Sequence, residues 1–177
     1  MKSSVLSLII LSLIIQNIVC QDPNYEKYCI EKGGVISKKT AGYDTRIGYV
    51  DGNVLNFCQI EYQGNIGMIG LETLGSTKPS LVSTYIKSLI IDPTKKIKGP
   101  FVQAAMNLCY ALGGASINFN MNGGWYDELG YVGICFFGDG SHIADWTLFY
   151  AGLGFRVDVR DATKGEVLNI NIPSIYE

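Results

Sequence analysis

The sequence has one histidine, no Asn-x-Ser/Thr sequon and, after its first residues, no apolar run long enough to cross a membrane. With one histidine and cysteines that we expect to be oxidised, there is no ligand set for zinc, and no cofactor or metal site is predicted. Because the sequon is missing, N-glycosylation is not predicted. The formal net charge is −2, and only Lys95, Lys96 and Lys98 form a basic cluster. Nucleic acid is therefore not an expected partner.

The first 20 residues have the three-part form of a secretory signal peptide. Lys2 precedes an apolar stretch from Val5 to Ile15, and a short segment follows up to Cys20. The stretch is shorter than the about 20 apolar residues of a transmembrane helix. Val19 fits a lipobox poorly, so lipid anchoring is the less favoured alternative. Residues 1–20 are predicted to be removed, which gives a secreted or secretory-pathway protein without a membrane span.

Four cysteines remain after cleavage, an even number in a chain that is addressed to an oxidising compartment. Four cysteines permit three pairings. We predict Cys29–Cys58 and Cys109–Cys135, each of which ties a helix to strands of the same half of the chain. Closing a loop of about 30 residues contributes roughly 3–4 kcal/mol, which small halves need because their cores are small.

These cysteines belong to a pattern that occurs twice. Cys29–Gly34 (CIEKGG) has the same spacing as Cys109–Gly114 (CYALGG). Farther along, Tyr43–Val50 resembles Tyr126–Val132 with one residue deleted. The pattern predicts two diverged tandem units, divided at about residue 98.

Each unit is predicted to begin with a short helix that ends at its two glycines. In the first unit, Asp22 suits the N-cap and Pro23 the first helical position, and Gly99 and Pro100 are the counterparts in the second. The first glycine of each pair, at positions 33 and 113, is expected in the left-handed conformation. Five residues are predicted to line the buried face of the second helix: Val102, Ala105, Met106, Cys109 and Leu112.

Short runs rich in Val, Ile, Tyr and Phe follow each glycine pair and are typical of strands. In the second unit the predicted strands are Ala115–Asn120, Gly130–Phe137 and Ile143–Tyr150. Gly154–Arg160 and Glu166–Ile172 are predicted to form a final hairpin.

The stretch Ser80–Ile91 fits a helix that begins at Pro79 and a β-rich segment about equally well, and we favour the helix. The predicted fold class is α+β. Residues 21–98 and 99–177 are the two units, each a short helix on a small antiparallel sheet with one disulfide.

One string of residues in the second unit is distinctive: Cys109, Gly113-Gly114, Gly133-Ile134-Cys135, Asp139-Gly140-Ser141 and Trp146 followed by Thr-Leu-Phe-Tyr. Over residues 108–152 it resembles the DUF333 family, a small secreted or envelope domain often labelled "putative hemolysin". A weaker copy over 28–74 keeps only Tyr28-Cys29, Gly33-Gly34 and Cys58.

The resemblance implies a secreted α+β module and brings no catalytic residues. Two further cysteines of the family pattern are missing together here, where the chain has Ile143 and about Gly154. Loss of one whole disulfide would produce this, which supports pairing within each unit.

His142 has oxygen-bearing neighbours at Asp139, Ser141 and Asp145. Adjacent side chains point apart, so Ser141 is badly placed to hydrogen-bond His142, and we favour a solvent-exposed turn histidine over a hydrolase. Calcium-loop spacing and its bidentate glutamate are absent, so we favour a hairpin turn over a calcium site. No catalytic residue is predicted.

The duplicated tyrosines could form an aromatic binding face, although filling equivalent strand positions would explain them as well. Trp146, within a predicted strand, is expected to be buried. The candidate binding residues are Tyr43, Tyr49, Tyr126, Tyr131, Asp139 and His142.

Three functions are consistent with the sequence. The favoured one is a secreted non-catalytic module that binds an extracellular protein or a glycan. The second is an inhibitor or defence protein that presents the loop Gly138–His142, and the third is a hydrolase that uses His142. A flat aromatic patch would favour binding, and a protruding loop would favour inhibition.

Overall fold

The computed structural model describes residues 23–117 and 123–177, so the predicted signal peptide and Asp22 lie outside the described residues. The helices are α1 Pro23–Glu31, α2 Leu71–Gly75, α3 Leu81–Ser88, α4 Ala104–Ala111, α5 Asp145–Gly152 and α6 Val157–Ala162. The strands are β1 Val35–Thr45, β2 Gly48–Tyr62, β3 Asn65–Gly70, β4 Ala115–Ile117, β5 Gly123–Asp127, β6 Gly130–Val132, β7 Ile134–Phe136 and β8 His142–Ala144.

All eight strands belong to one antiparallel sheet that curls into a half-barrel, in the order β4-β7-β8-β3-β2-β1-β5-β6. The α+β class is therefore confirmed. Strands from both halves of the chain meet twice, where β5 pairs with β1 and where β8 pairs with β3. The division into two tandem units stays a prediction.

Both predicted disulfides are present. Cys29–Cys58 joins α1 to β2, and Cys109–Cys135 joins α4 to β7. All four cysteines are fully buried in the main core, which lies between the helices and one face of the sheet. Each disulfide therefore ties a helix to the sheet, as the sequence predicts.

The two glycines after each helix have different structural roles. Gly33 and Gly113 have φ of +76° and +80°, the left-handed conformation that closes each helix. A Cβ on Gly34 would lie 2.5 and 2.8 Å from the two sulfur atoms of its disulfide, and one on Gly114 would lie 2.7 and 2.8 Å from its own. The second glycine is thus required because the disulfide packs directly on the backbone.

The other face of the sheet holds a smaller core inside the curl. Phe57, Trp125 and Ile134 belong to it, and the Trp125 ring lies 5.3 Å from that of Phe136. These two rings come from β5 and β7, which are far apart in the sheet order. The sheet therefore curls far enough to bring its two ends into contact.

Helix α3 confirms the favoured interpretation of residues 80–91. Ser80 is its N-cap, and the Ser80 and Ser83 side chains each bond the other's backbone N–H. This reciprocal arrangement is a capping box, which selects the helix over the β alternative.

The predicted start of the second helix is wrong. Helix α4 begins at Ala104 with Gln103 as N-cap. The Asn107 side chain bonds both the N–H and the carbonyl of Phe101 and so holds the preceding segment outside the helix. Val102 is consequently fully exposed, whereas the other four predicted face residues are buried.

The predicted strand Ile143–Tyr150 is also wrong. Strand β8 ends after three residues, and the chain continues as α5. The Thr147 side chain accepts a hydrogen bond from the backbone N–H of Met68 in β3. Helix α5 therefore occupies the position beside β3 where a longer β8 would pair. Strand propensity here yields to packing, because aromatic residues also fit a helix between α3 and α4.

The predicted C-terminal hairpin is absent, because α6 replaces its first strand. The following segment, residues 163–172, is not a strand and bonds side chains of α3. Ser83 Oγ donates to the Glu166 carbonyl, Lys87 Nζ donates to the Gly165 carbonyl, and Thr84 Oγ1 accepts from the Leu168 N–H.

None of the helices in the described part of the chain is long and apolar enough to span a membrane.

Candidate functional site

The two duplicated segments form two equivalent hairpin turns. Thr45 pairs with Gly48 at the end of β1 and β2, and Asp127 pairs with Gly130 at the end of β5 and β6. The two glycines have φ of +126° and +120°, which residues with a side chain rarely adopt. The repeated sequence therefore marks a repeated local structure.

Three of the four predicted tyrosines come together on one face of the sheet. The Tyr126 ring lies 6.0 Å from that of Tyr49 and 5.6 Å from that of Tyr131. Tyr49 and Tyr131 remain 45% and 47% exposed. We call Tyr49, Tyr126 and Tyr131 the tyrosine cluster.

Hydrogen bonds raise the pKa of two hydroxyl groups of the tyrosine cluster, those of Tyr49 and Tyr126. Tyr126 Oη donates to Asp51 Oδ1 over 2.5 Å, and this bond raises the pKa of Tyr126. A hydrogen bond with Tyr131, together with burial, raises the pKa of Tyr49. Tyr49 and Tyr126 therefore present neutral rings with polar hydroxyls.

Tyr43 lies on the opposite face. Successive strand residues point to alternate faces, and the ring of Tyr49 lies over Gly42, next to Tyr43 in β1. The Tyr43 ring instead approaches Gly52, where a Cβ would lie 2.8 Å from it. A common aromatic face of all four tyrosines is thus not formed.

A largely buried ion pair lies on the sheet face opposite the tyrosine cluster, and sequence reasoning missed it. Lys39 is 4% exposed, and its Nζ bonds Asp127 Oδ2 across the β1–β5 pair. Burial by itself would raise the pKa of Asp127, but hydrogen bonds from Lys39 and from backbone N–H groups outweigh it and lower the pKa. A lysine in a strand run carries no local signal of this partner.

Asp139 and Ser141 accept hydrogen bonds from the first turn of helix α3. The Leu81 N–H donates to Asp139 Oδ2 over 2.7 Å, and the Val82 N–H donates to Ser141 Oγ over 3.2 Å. Burial would raise the pKa of Asp139, but bonds from Ser141 and Leu81 outweigh it and lower the pKa. The segment 138–142 is consequently fastened to the start of α3, and its residues 138–140 are exposed.

His142 lies in β8 and not in an exposed turn. Its ring stacks on Phe136 at 5.0 Å and meets Phe57 edge-on at 5.2 Å. Nδ1 lies 3.0 Å from the Gly140 carbonyl, which only accepts, so Nδ1 carries the proton. Burial lowers the pKa of His142, and its Nε2 is buried without a partner in the described part of the chain.

These contacts do not assemble a catalytic triad. The imidazole borders a cleft of about 190 Å³, but the Ser141 hydroxyl donates to Asp139 and not to His142. Asp145 is 1% exposed and bonds Ser116 Oγ and the Trp146 N–H, while burial raises its pKa. Within residues 23–117 and 123–177, no group of three His, Cys, Asp or Glu side chains could hold a metal ion.

The expected burial of Trp146 is wrong. Its side chain is 40% exposed on α5 and stacks on Tyr150 at 5.5 Å. Sequence reasoning assigned it to a strand, where alternate residues face the core, and therefore missed an exposed aromatic surface on a helix.

The chain was compared with protein-family models, curated proteins and solved structures, and none of the three comparisons gave a match, so the resemblance to DUF333 stays a prediction.

Proposed function

We propose that the protein is a secreted, non-catalytic module that binds an extracellular protein through the tyrosine cluster. The observation that carries the proposal is that Tyr49, Tyr126 and Tyr131, from two distant segments, meet on one exposed sheet face. Tyrosine is enriched at protein interfaces because it combines a large apolar ring with a hydroxyl.

The supporting geometry is rigid. Tyr126 lies in β5, which is paired on one side with β1 and on the other with β6. The hydrogen bond to Asp51 and the ring contacts restrict the side chains further. Little conformational entropy would then be lost on binding, which favours affinity.

Exposed aliphatic side chains occupy the tips of the same two hairpins. Ile47 is 95% exposed and Leu129 is 89% exposed. Apolar side chains at the rim of an aromatic cluster are suited to contact with a second protein. They also account for why both copies of the segment keep a large aliphatic residue before the glycine.

Secretion fits the two buried disulfides, which persist in oxidising compartments. The structure around each disulfide also supports the proposal that the two units are diverged copies. Both contain a helix, a left-handed glycine and a second glycine under the disulfide.

A quantitative pull-down tests the proposed function. The oxidised secreted chain would serve as bait in culture medium and cell-surface extract of the source organism. The double variant Tyr126→Ser/Tyr131→Ser should lose captured proteins by at least about tenfold, since interface aromatics often contribute more than 1.4 kcal/mol each.

The matched control is Tyr110→Ser, which removes a 56% exposed tyrosine from α4. It should capture the same proteins as the wild type. Equal capture by the wild type, the control and a folded double variant would contradict the proposal.

A further inference from the structure

We infer that a second surface, the cleft between the β2–β3 turn and the end of α5, binds a neutral oligosaccharide. The cleft has a volume of about 250 Å³ and is bordered by six residues: Tyr62, Gln63, Asn65, Tyr150, Phe155 and Arg156. The tyrosine cluster shares no residue with it, so this inference does not depend on the proposed function.

Aromatic rings form the walls of the cleft. Tyr62, Tyr150 and Phe155 are 39%, 42% and 66% exposed. Trp146 stacks on Tyr150 with an angle of 29° between the rings and extends the aromatic surface. Flat exposed rings can stack on the C–H faces of pyranose sugars, while the sugar hydroxyls stay in contact with water or with polar groups.

Amide side chains supply the polar groups. Gln63 and Gly64 form the two-residue turn between β2 and β3, and among the described residues Gln63 is the one non-glycine with a positive φ, at +52°. Asn, Asp and Gly are preferred at this position of such turns. The strained glutamine places an amide beside the rings, where it can both donate to and accept from hydroxyl groups.

Arg156 makes the cleft rigid, and its own charge is compensated by a neighbouring carboxylate. The side chain is 3% exposed and donates to the carbonyls of Asn65 and Ile60 over 2.8 and 2.7 Å. It also pairs with Asp158 at 2.6 Å. The turn is therefore held in place, and the guanidinium charge is compensated before any ligand arrives.

The ligand class follows from these groups together. With Arg156 paired, the lining of the cleft offers no uncompensated charge, so an anionic ligand gains nothing over a neutral one. The volume is below the about 300–1,000 Å³ of pockets that enclose drug-sized ligands. Rings, amides and a shallow shape suit one or two sugar rings of a longer neutral chain.

Titration of the oxidised chain with cellotetraose, chitotetraose and laminaritetraose tests the inference, with tryptophan fluorescence and calorimetry as readouts. At least one of the three should bind saturably. Tyr150→Ala and Phe155→Ala should each weaken that affinity by at least about tenfold, because each removes a stacking surface.

Gln63→Gly separates binding from folding. Glycine accepts the positive φ at this position, so the unfolding temperature should stay the same or rise. Binding should nevertheless weaken about threefold or more, because the variant loses the amide. A variant that binds as the wild type does would remove Gln63 from the site.

Tyr110→Ser is the control and should bind the sugar as the wild type does. The inference is overturned if none of the three tetrasaccharides binds saturably, or if tetragalacturonate, an anionic probe, binds more tightly. It is also overturned if folded Tyr150→Ala and Phe155→Ala keep wild-type affinity. Loss of sugar binding in Tyr126→Ser would move the site to the tyrosine cluster.

Discussion

In the first half of the chain, α1 ends at a left-handed glycine and is followed by β1, a strand of 11 residues. In the second half, α4 ends in the same way and is followed by β4, of which the structure describes Ala115–Ile117. The two helix ends match in conformation and in their contacts with the disulfide. Strand β1 has a neighbour on both sides, whereas β4 is at the edge of the sheet. Local sequence therefore specifies the helix end, whereas the position that the next strand takes in the sheet depends on segments elsewhere in the chain.

Removal of each disulfide should give the largest loss of stability and so tests whether the two helix ends are equivalent. Cys29→Ala/Cys58→Ala and Cys109→Ala/Cys135→Ala should each lower the free energy of unfolding by about 3–4 kcal/mol. The sequence separations of 29 and 26 residues are nearly equal, so the two losses should be similar. Urea unfolding of the oxidised proteins measures both. A loss below about 1 kcal/mol in one unit would show that the two disulfides are not equivalent.

The two glycines of each pair should differ in sensitivity. Gly34→Ala and Gly114→Ala should each cost about 2–3 kcal/mol, because the methyl group would overlap the disulfide sulfur atoms. Gly33→Ala and Gly113→Ala should cost about 1–2 kcal/mol, since nothing surrounds the added methyl and only the positive φ opposes it. Urea unfolding compares the four variants. Equal losses within a pair would contradict the packing explanation.

Asp139 tests how the two halves depend on each other, because it lies in the second half and caps α3 in the first. Asp139→Ala should cost about 1 kcal/mol at pH 7, as the loss of a helix cap does. The pKa of Asp139 is lowered in the folded protein, so its contribution is present above the unfolded pKa of about 3.9 and is lost as the pH falls through the folded pKa. Unfolding at pH 7 and at pH 2.5 should show the difference between wild type and variant shrinking.

Tyr43 should give the smallest effect. Its side chain is 41% exposed, which is close to the exposure of Tyr49 and Tyr131, but it lies on the other face of the sheet. Tyr43→Ser should change capture of the protein partner by less than about twofold, against tenfold or more for the tyrosine cluster. Quantitative pull-down compares them. A large loss with Tyr43→Ser would place the partner on both faces.

Much of the local structure could be predicted because its cause is local. Gly33 and Gly113 adopt the predicted conformation, both disulfides form as predicted, and α3 forms within the stretch for which a helix is favoured. Strand Ile143–Tyr150 could not be predicted correctly. Its aromatic residues suit either a strand or a helix, and contacts with β3 and the other helices decide for α5.

In the candidate site, too, the sequence identified residues but not their tertiary contacts. Repetition in the sequence singled out Tyr49, Tyr126 and Tyr131, but their contact depends on the pairing of β5 with β1, between segments about 80 residues apart. The Gly-Asp-Gly-Ser-His string was noticed for its chemistry. Its function in the fold, capping α3, required knowledge of an element nearly 60 residues away.

The sequence by itself determined the two disulfide-bearing helix ends, because a few adjacent residues set the helix, its glycine exit and the position of the cysteine. Tertiary structure decided the single curled sheet, the exposure of Trp146 and the side of the sheet on which Tyr43 lies. These features depend on strand register and on which elements compete for an edge. Such competition is settled by the summed packing of distant segments, and no short stretch of sequence records it.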